Sequence, residues 1–391
     1  MAQVTVAEST PLTAKEIKDL GAAAGPCVTI FLPVDVQGGT KKSLKNRLKA
    51  AAGKAEEGLG KKLVVSTLVR KIVDPIASFA EMVEDESRGA ALALFSSESG
   101  IRHFWLMEPL EDTVIAADNF FVRPFLKKIG RDTQFYLLAL DQKNVRLLKC
   151  TDHSSEEVDL QGRMPHSLME HMQTDQPDHV LDNRASSGPA GGAGVQGVMF
   201  TTSSDAEDSS EYLLHFFKAV SRGVGELLKG QEKTPLVVCG VEYELALYKR
   251  VNEWENTCPE GVRGAPNGLK GGEMHARALE CLEKMRDAEL ESVLALHNRQ
   301  AGEIAAAGVN DLVAAAYEGR VMHLFAAENA QVMGNFDEAK HRAWTHTEPR
   351  DGDEDLINAA ALQTIVHAGH VHLVPQARVP GNRPMAAVMR Y

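Results

Sequence analysis

The chain has 391 residues, 44% of them hydrophobic and 25% charged, a composition that suits water-soluble globular domains and excludes collagenous, disordered and membrane-embedded classes. A chain of this length is expected to fold as two or three domains rather than around one core. The formal charge of −12 argues against indiscriminate nucleic-acid binding, so an anionic partner has to be met by a local concentration of cations. No apolar run approaches the roughly 20 residues that cross a bilayer. The opening MAQVTVAESTPLTAKEIKDL lacks a basic stretch followed by an apolar block, so a cytoplasmic protein without membrane contact is expected.

In chain order, Thr13 and Glu16 form a capping-box pattern that starts a short helix. CVTIFLPV, Cys27 to Val34, reads as a strand. Between Lys41 and Lys71 the chain carries Lys41, Lys42, Lys45, Arg47, Lys49, Lys54, Lys61, Lys62, Arg70 and Lys71 against Glu56 and Glu57, ten cations less two carboxylates, a local +8. Leu44, Leu48 and Ala51–Ala52 fall at helical spacing, while Lys41, Lys45 and Lys49 recur every four residues along a neighbouring face, which predicts a helix with a cationic stripe. A solvated face is the plain alternative; an RNA or phosphate contact, weakened by salt, is the functional one. A second helix follows from about Lys62 to Glu84, with Pro75 as its expected kink or break. A hairpin turns around Ser97–Gly100. Residues 1–123 are expected as an α/β N-terminal domain.

A second domain is expected over 124–257. It opens with a meander of three short strands, Gln134–Asp141, VRLLKC and EEVDL, followed by a short helix over Pro165–Met172. From Asp182 to Ser210 periodicity vanishes and Gly, Ser and Ala dominate; a loop of that length, taken as 183–207, is functional or disordered. A helix from Asp208 to Lys229, the buried strand TPLVVCG and a helix from Tyr243 to Trp254 complete the unit. Cys258–Gly272 is rich in Pro and Gly and reads as an interdomain connection. A third domain, 258–391, holds helices over Glu273–Gln300, Val309–Tyr317 and Asp353–His367, and strands VMHLFAA, HVHLV and MAAVMRY. The alternation implies an α/β or α+β fold in layers, and an α/β class is expected.

Short motifs carry little chemistry. Cys27, Cys150, Cys239, Cys258 and Cys281 are scattered without a CxxC pair and read as packed thiols rather than a disulfide or zinc framework. Gly192-Ala193-Gly194-Val195-Gln196-Gly197 satisfies GxGxxG, but flexible sequence lies on both sides, where a dinucleotide site needs a strand before and a helix after. His367, His370 and His372 cluster near a helix-to-strand junction without a third type of ligand and read as structural or exposed; no metal or other cofactor is expected. His341 and His346 fall in a polar loop. Asp141 with Asp152 and Asp159 suggests a carboxylate nuclease site, but strand-end aspartates are more commonly turn formers.

PCVTIFLPVD, FVRPFLKKIGRDTQFYLLALDQKNVRLLKC, AAYEGRVMHLFAA and DEDLINAAALQTIVHAGHVHLVPQ…AAVMRY, in that order, resemble the bacterial relatives of the archaeo-eukaryotic class-I peptide release factors, a group that includes the ribosome hibernation factor Balon. The resemblance implies an N-terminal decoding-site domain, an RNase H-like middle domain and a C-terminal domain similar to kink-turn-binding ribosomal proteins. It also implies a monomer that acts in the ribosomal A site, with a translational GTPase such as EF-Tu beside it. Lys41, Lys42, Lys45, Arg47, Lys49, Lys54, Lys61 and Lys62 would face ribosomal RNA. The loop carrying Gly191, Gly192, Gly194, Val195, Gln196 and Gly197 would enter the large subunit. Release factors of this kind carry Gly-Gly-Gln at the tip of that loop. Here Gly194-Val195-Gln196 is the nearest match, and a β-branched residue resists the backbone conformations that glycine allows. The expectation is a non-hydrolytic hibernation or protection factor; the alternative is a release or rescue factor acting through Gln196.

Overall fold

In a computed structural model of the chain, the structure describes residues 12–23, 25–34, 44–62, 64–83, 89–129, 134–174, 203–269, 271–300 and 308–391. The chain divides into two compact units, one of Met1–Arg131 with Leu290–Tyr391 and one of Asp132–Glu289.

The first unit begins with helix α1 (Ala14–Gly21). Its capping box is formed as the sequence predicts: the Thr13 hydroxyl accepts from the Glu16 amide at 3.3 Å, and the Glu16 carboxylate accepts from the Thr13 amide at 2.6 Å. Strand β1 (Cys27–Pro33) is buried over all but its last residue. Helices α2 (Leu44–Lys61) and α3 (Ser66–Met82) follow; Pro75 lies inside α3, which runs on through it rather than breaking. Strands β2 (Ala91–Ser97) and β3 (Gly100–Leu106) form the expected hairpin, and β4 (Thr113–Ala117) adds a strand that the sequence reading misses. The antiparallel sheet has the order β3-β2-β1-β4. Both faces of β1 are covered, which explains its unbroken apolar run. Val28, Ile30 and Leu32 pack with α2 and α3, while Cys27 and Phe31 join the core shared with the C-terminal residues. Helix α4 (Arg123–Ile129) ends this part.

The second unit is a mixed sheet between helices. Strands β5 (Phe135–Ala139), β6 (Arg146–Cys150) and β7 (Ser155–Glu157) make the antiparallel meander. Helices α5 (Leu168–Thr174) and α6 (Ser203–Leu227), strand β8 (Leu236–Gly240) and helix α7 (Glu242–Val251) follow. Strand β9 (Val262–Arg263) pairs parallel with β8, so the Pro/Gly-rich stretch expected as a connection supplies a sheet edge instead. Its glycines permit the approach: a Cβ on Gly261 would stand 2.6 Å from the Val238 carbonyl. The order is β7-β6-β5-β8-β9, with β5, β8 and β9 parallel. Phe216, Phe217, Val220 and Val224 of α6 and Leu247 and Tyr248 of α7 fill one face. Met274, Ala278 and Leu282 of α8 (Gly271–Arg299) fill the other.

The first unit resumes with α9 (Val309–Tyr317), β10 (Val321–Ala327), β11 (Met333–Asp337), β12 (Arg342–Thr345) and β13 (Glu354–Asp355). Helix α10 (Leu356–Val366) and strands β14 (His370–Val374) and β15 (Met385–Met389) end it. The sheets are β14-β10-β15 and β12-β11-β13. Leu356–Leu362 of α10 is buried throughout, as a helix apolar on every side should be. The segment expected as a polar loop around His341 and His346 is the β11–β12 hairpin. The N-terminal and C-terminal regions, expected as separate domains, share one core here: Phe31, Phe95 and Phe125 cluster with Leu312, Leu356 and Leu362.

Candidate functional site

The described cations of the basic stretch sit on α2, at its end and on α3, and the fold brings carboxylates to most of them. Lys45 and Lys49 both pair with Glu81 of α3, Lys49 at 2.6 Å. Their hydrogen bonds, together with their charge, hold the Glu81 carboxyl down to about 2. Arg47 donates to the Pro33 carbonyl and, at 3.0 Å, to Asp112. Lys61 pairs with Glu57 at 3.0 Å, Lys71 with Glu98 at 2.7 Å, and Lys62, its side chain only 7% exposed, with Asp118 at 2.7 Å. Lys54 and Arg70 are exposed and make no ion pair among the described residues. The cationic stripe therefore meets counter-charges that its own sequence does not supply. Glu81, Glu98, Asp112 and Asp118, all outside the stretch, take its formal excess from +8 to +4. Lys41 and Lys42 lie outside the described residues.

Gly191, Gly192, Gly194, Val195, Gln196 and Gly197 also lie outside the described residues, as does most of 183–207. Its footing is described. Helix α5 ends at Thr174 and α6 begins at Ser203, and His171 Nε2 and His215 Nδ1 bind each other at 2.9 Å with rings stacked at 5.1 Å. His171 is buried and also lies against Phe216, so the two helices that flank the glycine-rich segment are tied by a hydrogen bond within an apolar layer. Neither histidine is singled out by sequence, where each stands alone on its own helix.

Two of the three carboxylates weighed as a nuclease site, Asp141 and Asp159, are occupied locally. Asp141 accepts from the Lys143 amide at 2.7 Å and from Asn267 at 3.0 Å, and Asp159 accepts from the Gln161 amide at 3.0 Å, the bonding of turn formers. Among the described residues no three His, Cys, Asp or Glu side chains are gathered to hold a metal. Four of the five free cysteines are buried, and burial pushes the Cys150 and Cys258 thiols up to about 12, so they are packed rather than reactive groups.

His367 caps α10 and shares a hydrogen bond with the Gln363 carbonyl at 2.9 Å. His370 and His372 lie on one face of β14, as expected, and meet His323 of β10, which sequence reading passes over within an apolar strand. His323 Nδ1 and His372 Nε2 are 3.1 Å apart. His323 stacks on His370 at 5.1 Å and on His372 at 5.3 Å.

The most densely bonded polar group is the joint between residues 118–123 and 354–358. Asn119 donates from its amide to Glu354 at 3.2 Å, and from Nδ2 to both Glu354 oxygens at 3.1 Å and to the Tyr317 hydroxyl at 2.7 Å. Burial pushes the Glu354 carboxyl up to about 7, against the opposing hydrogen bonds from Asn119. Arg123 pairs with Asp355 at 2.8 Å and donates to the Ala327 and Glu328 carbonyls. Asn358 accepts from the Val122 amide at 2.8 Å and donates to the Phe120 carbonyl at 2.9 Å.

With this geometry in hand, comparison with known proteins agrees with the resemblance read from sequence. Residues 134–320 match the bacterial archaeo-eukaryotic release factor family 3. Among solved structures, it is similar to an archaeal Pelota described in a ribosome-bound complex with ABCE1 (11% identity, 99% of this chain and 95% of that one, TM-score 0.38). It is also similar to Dom34 of S. cerevisiae, described as a translation termination-like factor (12%, 75% and 73%, 0.34), and to Pelota of Archaeoglobus fulgidus (12%, 100% and 99%, 0.30). All three scores fall short of a shared overall fold. Among curated proteins, none matches the chain. Among the described residues no helix is long and apolar enough to cross a membrane.

Proposed function

We propose that the protein is a ribosome-binding translation factor that occupies the A site without hydrolysing peptidyl-tRNA, a hibernation or protection factor. The observation that carries this reading is the match of residues 134–320 to a release-factor family, a segment that includes every strand of the second unit and the glycine-rich stretch. The order β7-β6-β5-β8-β9, with an antiparallel meander feeding two parallel strands, supports an RNase H-like middle domain. On the same reading residues 1–123 and 258–391 supply the N-terminal and C-terminal release-factor domains.

The absence of hydrolysis is argued from Val195. A catalytic loop must bring its backbone close to the peptidyl-tRNA ester, and a β-branched residue beside Gln196 adds bulk and resists positive φ. Contact with ribosomal RNA would fall first to Lys54 and Arg70, and to Lys45 and Lys49, which share a single carboxylate. A translational GTPase of the EF-Tu kind would deliver the protein.

Gln196 itself favours the second reading, a release or rescue factor, and one experiment separates the two. Purified protein is added to 70S ribosomes bearing labelled peptidyl-tRNA, and co-sedimentation and released peptide are measured. The expected outcome is binding at low salt with no release. Release abolished by Gln196→Ala establishes the second reading, and failure to bind at low salt removes both.

A further inference from the structure

We propose that the C-terminal three-stranded sheet holds a binding site for one divalent transition-metal ion of the zinc or nickel class, with His323, His370 and His372 as its ligands. The placement follows from strand geometry. Residues two apart on a strand share a face, so His370 and His372 of the edge strand β14 point the same way. The parallel register puts His323 of β10 opposite His370 and Phe325 opposite His372. Three imidazoles thus occupy neighbouring positions on one face, a pair from one strand and one from the next.

Two of the three are already at ligand spacing. A zinc–nitrogen bond is about 2.0–2.1 Å, so two nitrogens on a tetrahedral ion lie about 3.3 Å apart. His323 Nδ1 and His372 Nε2 stand at 3.1 Å, so a few tenths of an ångström separate a mutual hydrogen bond from shared coordination.

His370 is the ligand that has to move, because among the described residues no three such groups yet converge. It is exposed, at the first position of an edge strand, with its ring 5.1 Å from that of His323. Turning its side chain therefore gives up its stacking on His323 and disturbs no buried packing of its own. Behind the cluster Phe325 stacks on His372 at 5.3 Å and lies edge-on to the buried His297, whose Nδ1 has no hydrogen-bond partner among the described residues. The cluster is thus backed by an aromatic wall and open on the side of His370. Three imidazole nitrogens with an open fourth position suit zinc, nickel or copper and not magnesium or calcium, which require oxygen.

The test uses the full chain, stripped with chelator and titrated with Zn(II) by calorimetry and with Co(II) by absorption. One equivalent should bind, with the d–d bands of nitrogen and oxygen ligation and without a thiolate charge-transfer band. His370→Ala, which changes an exposed side chain and should leave the far-ultraviolet dichroism unaltered, should weaken binding by at least about tenfold, the scale at which even the partners of a ligand act. His323→Ala should do the same, and Cys281→Ser should change nothing. The proposal is overturned by the absence of stoichiometric binding, by a thiolate band, or by affinity that survives His370→Ala intact.

Discussion

The charges around α2 and those at the joint between residues 118–123 and 354–358 are paired in opposite ways. Around α2 the pairs are mostly exposed: Glu81 and Lys49 keep about half of their side-chain surface, and Lys71 and Glu98 more. At the joint, Arg123 and Asp355 keep 11% and 5%, and the carboxylates come from more than 200 residues away in sequence. Exposed pairs cost little to open, because water replaces the lost partner and salt screens the rest. Buried pairs cannot be opened so cheaply, since each member left behind is a desolvated charge. The first surface can exchange carboxylates for another anion; the second can only hold.

Breaking the joint should produce the largest effect. Arg123→Ala leaves Asp355 buried without its cation and removes the donor to the Ala327 and Glu328 carbonyls. A loss of about 3–5 kcal/mol is expected, measured by urea unfolding of the full chain. Arg123→Met combined with Asp355→Leu should recover much of it, because no unpaired charge then remains. A loss below about 1 kcal/mol would place this pair with the surface pairs.

A smaller effect should come from pH. The Glu354 carboxyl is raised to about 7 by burial, against about 4.3 in an unfolded chain. The folded protein therefore holds this proton more tightly than the unfolded one. The stabilisation is complete below about pH 4 and is lost as pH rises through about 7, a change on the order of 3 kcal/mol. Asp118 and Lys62 face the same carboxyl with opposite signs, Asn119 and Tyr317 complete the polar contacts, and Cys27 lies within their field. Glu354→Gln should flatten the stability profile between about pH 5 and about pH 8. An unchanged profile in that variant would assign the dependence to another group.

What sequence could and could not show follows the range of each interaction. The Thr13–Glu16 capping box, the apolar run of β1 and the meander β5–β7 are local patterns, and they stand where they were expected. The partners of Asn119 and Arg123 were illegible, because a lone Asn or Arg gives no sign of a carboxylate more than 200 residues on. The β11–β12 hairpin is missed because MGNFD, with Gly, Asn and Asp, is poor in strand formers and RAWT is only four residues long; Gly334 is there because a Cβ would stand 2.0 Å from the Trp344 carbonyl. At the candidate site the cations were legible and their counter-charges were not, since Glu81, Asp112 and Asp118 reach them only through helix packing and the β1–β4 pairing. His323 was hidden for a related reason: its neighbours His370 and His372 meet it only across a parallel register.

The smallest stability effect, and the one that bears most on function, should come from Glu81→Gln. Its pairs with Lys45 and Lys49 are exposed, so the unfolding midpoint should barely move. The change nevertheless frees two cations one helical turn apart. If this face meets ribosomal RNA, affinity for 70S particles at low salt should rise. The slope of log affinity against log salt should also steepen by about 0.7–0.9 for each phosphate newly engaged. Lys45→Ala with Lys49→Ala should shift both quantities the other way. An affinity indifferent to both variants would move the contact to Lys54 and Arg70 or off α2 altogether, and would leave these pairs as ordinary surface chemistry.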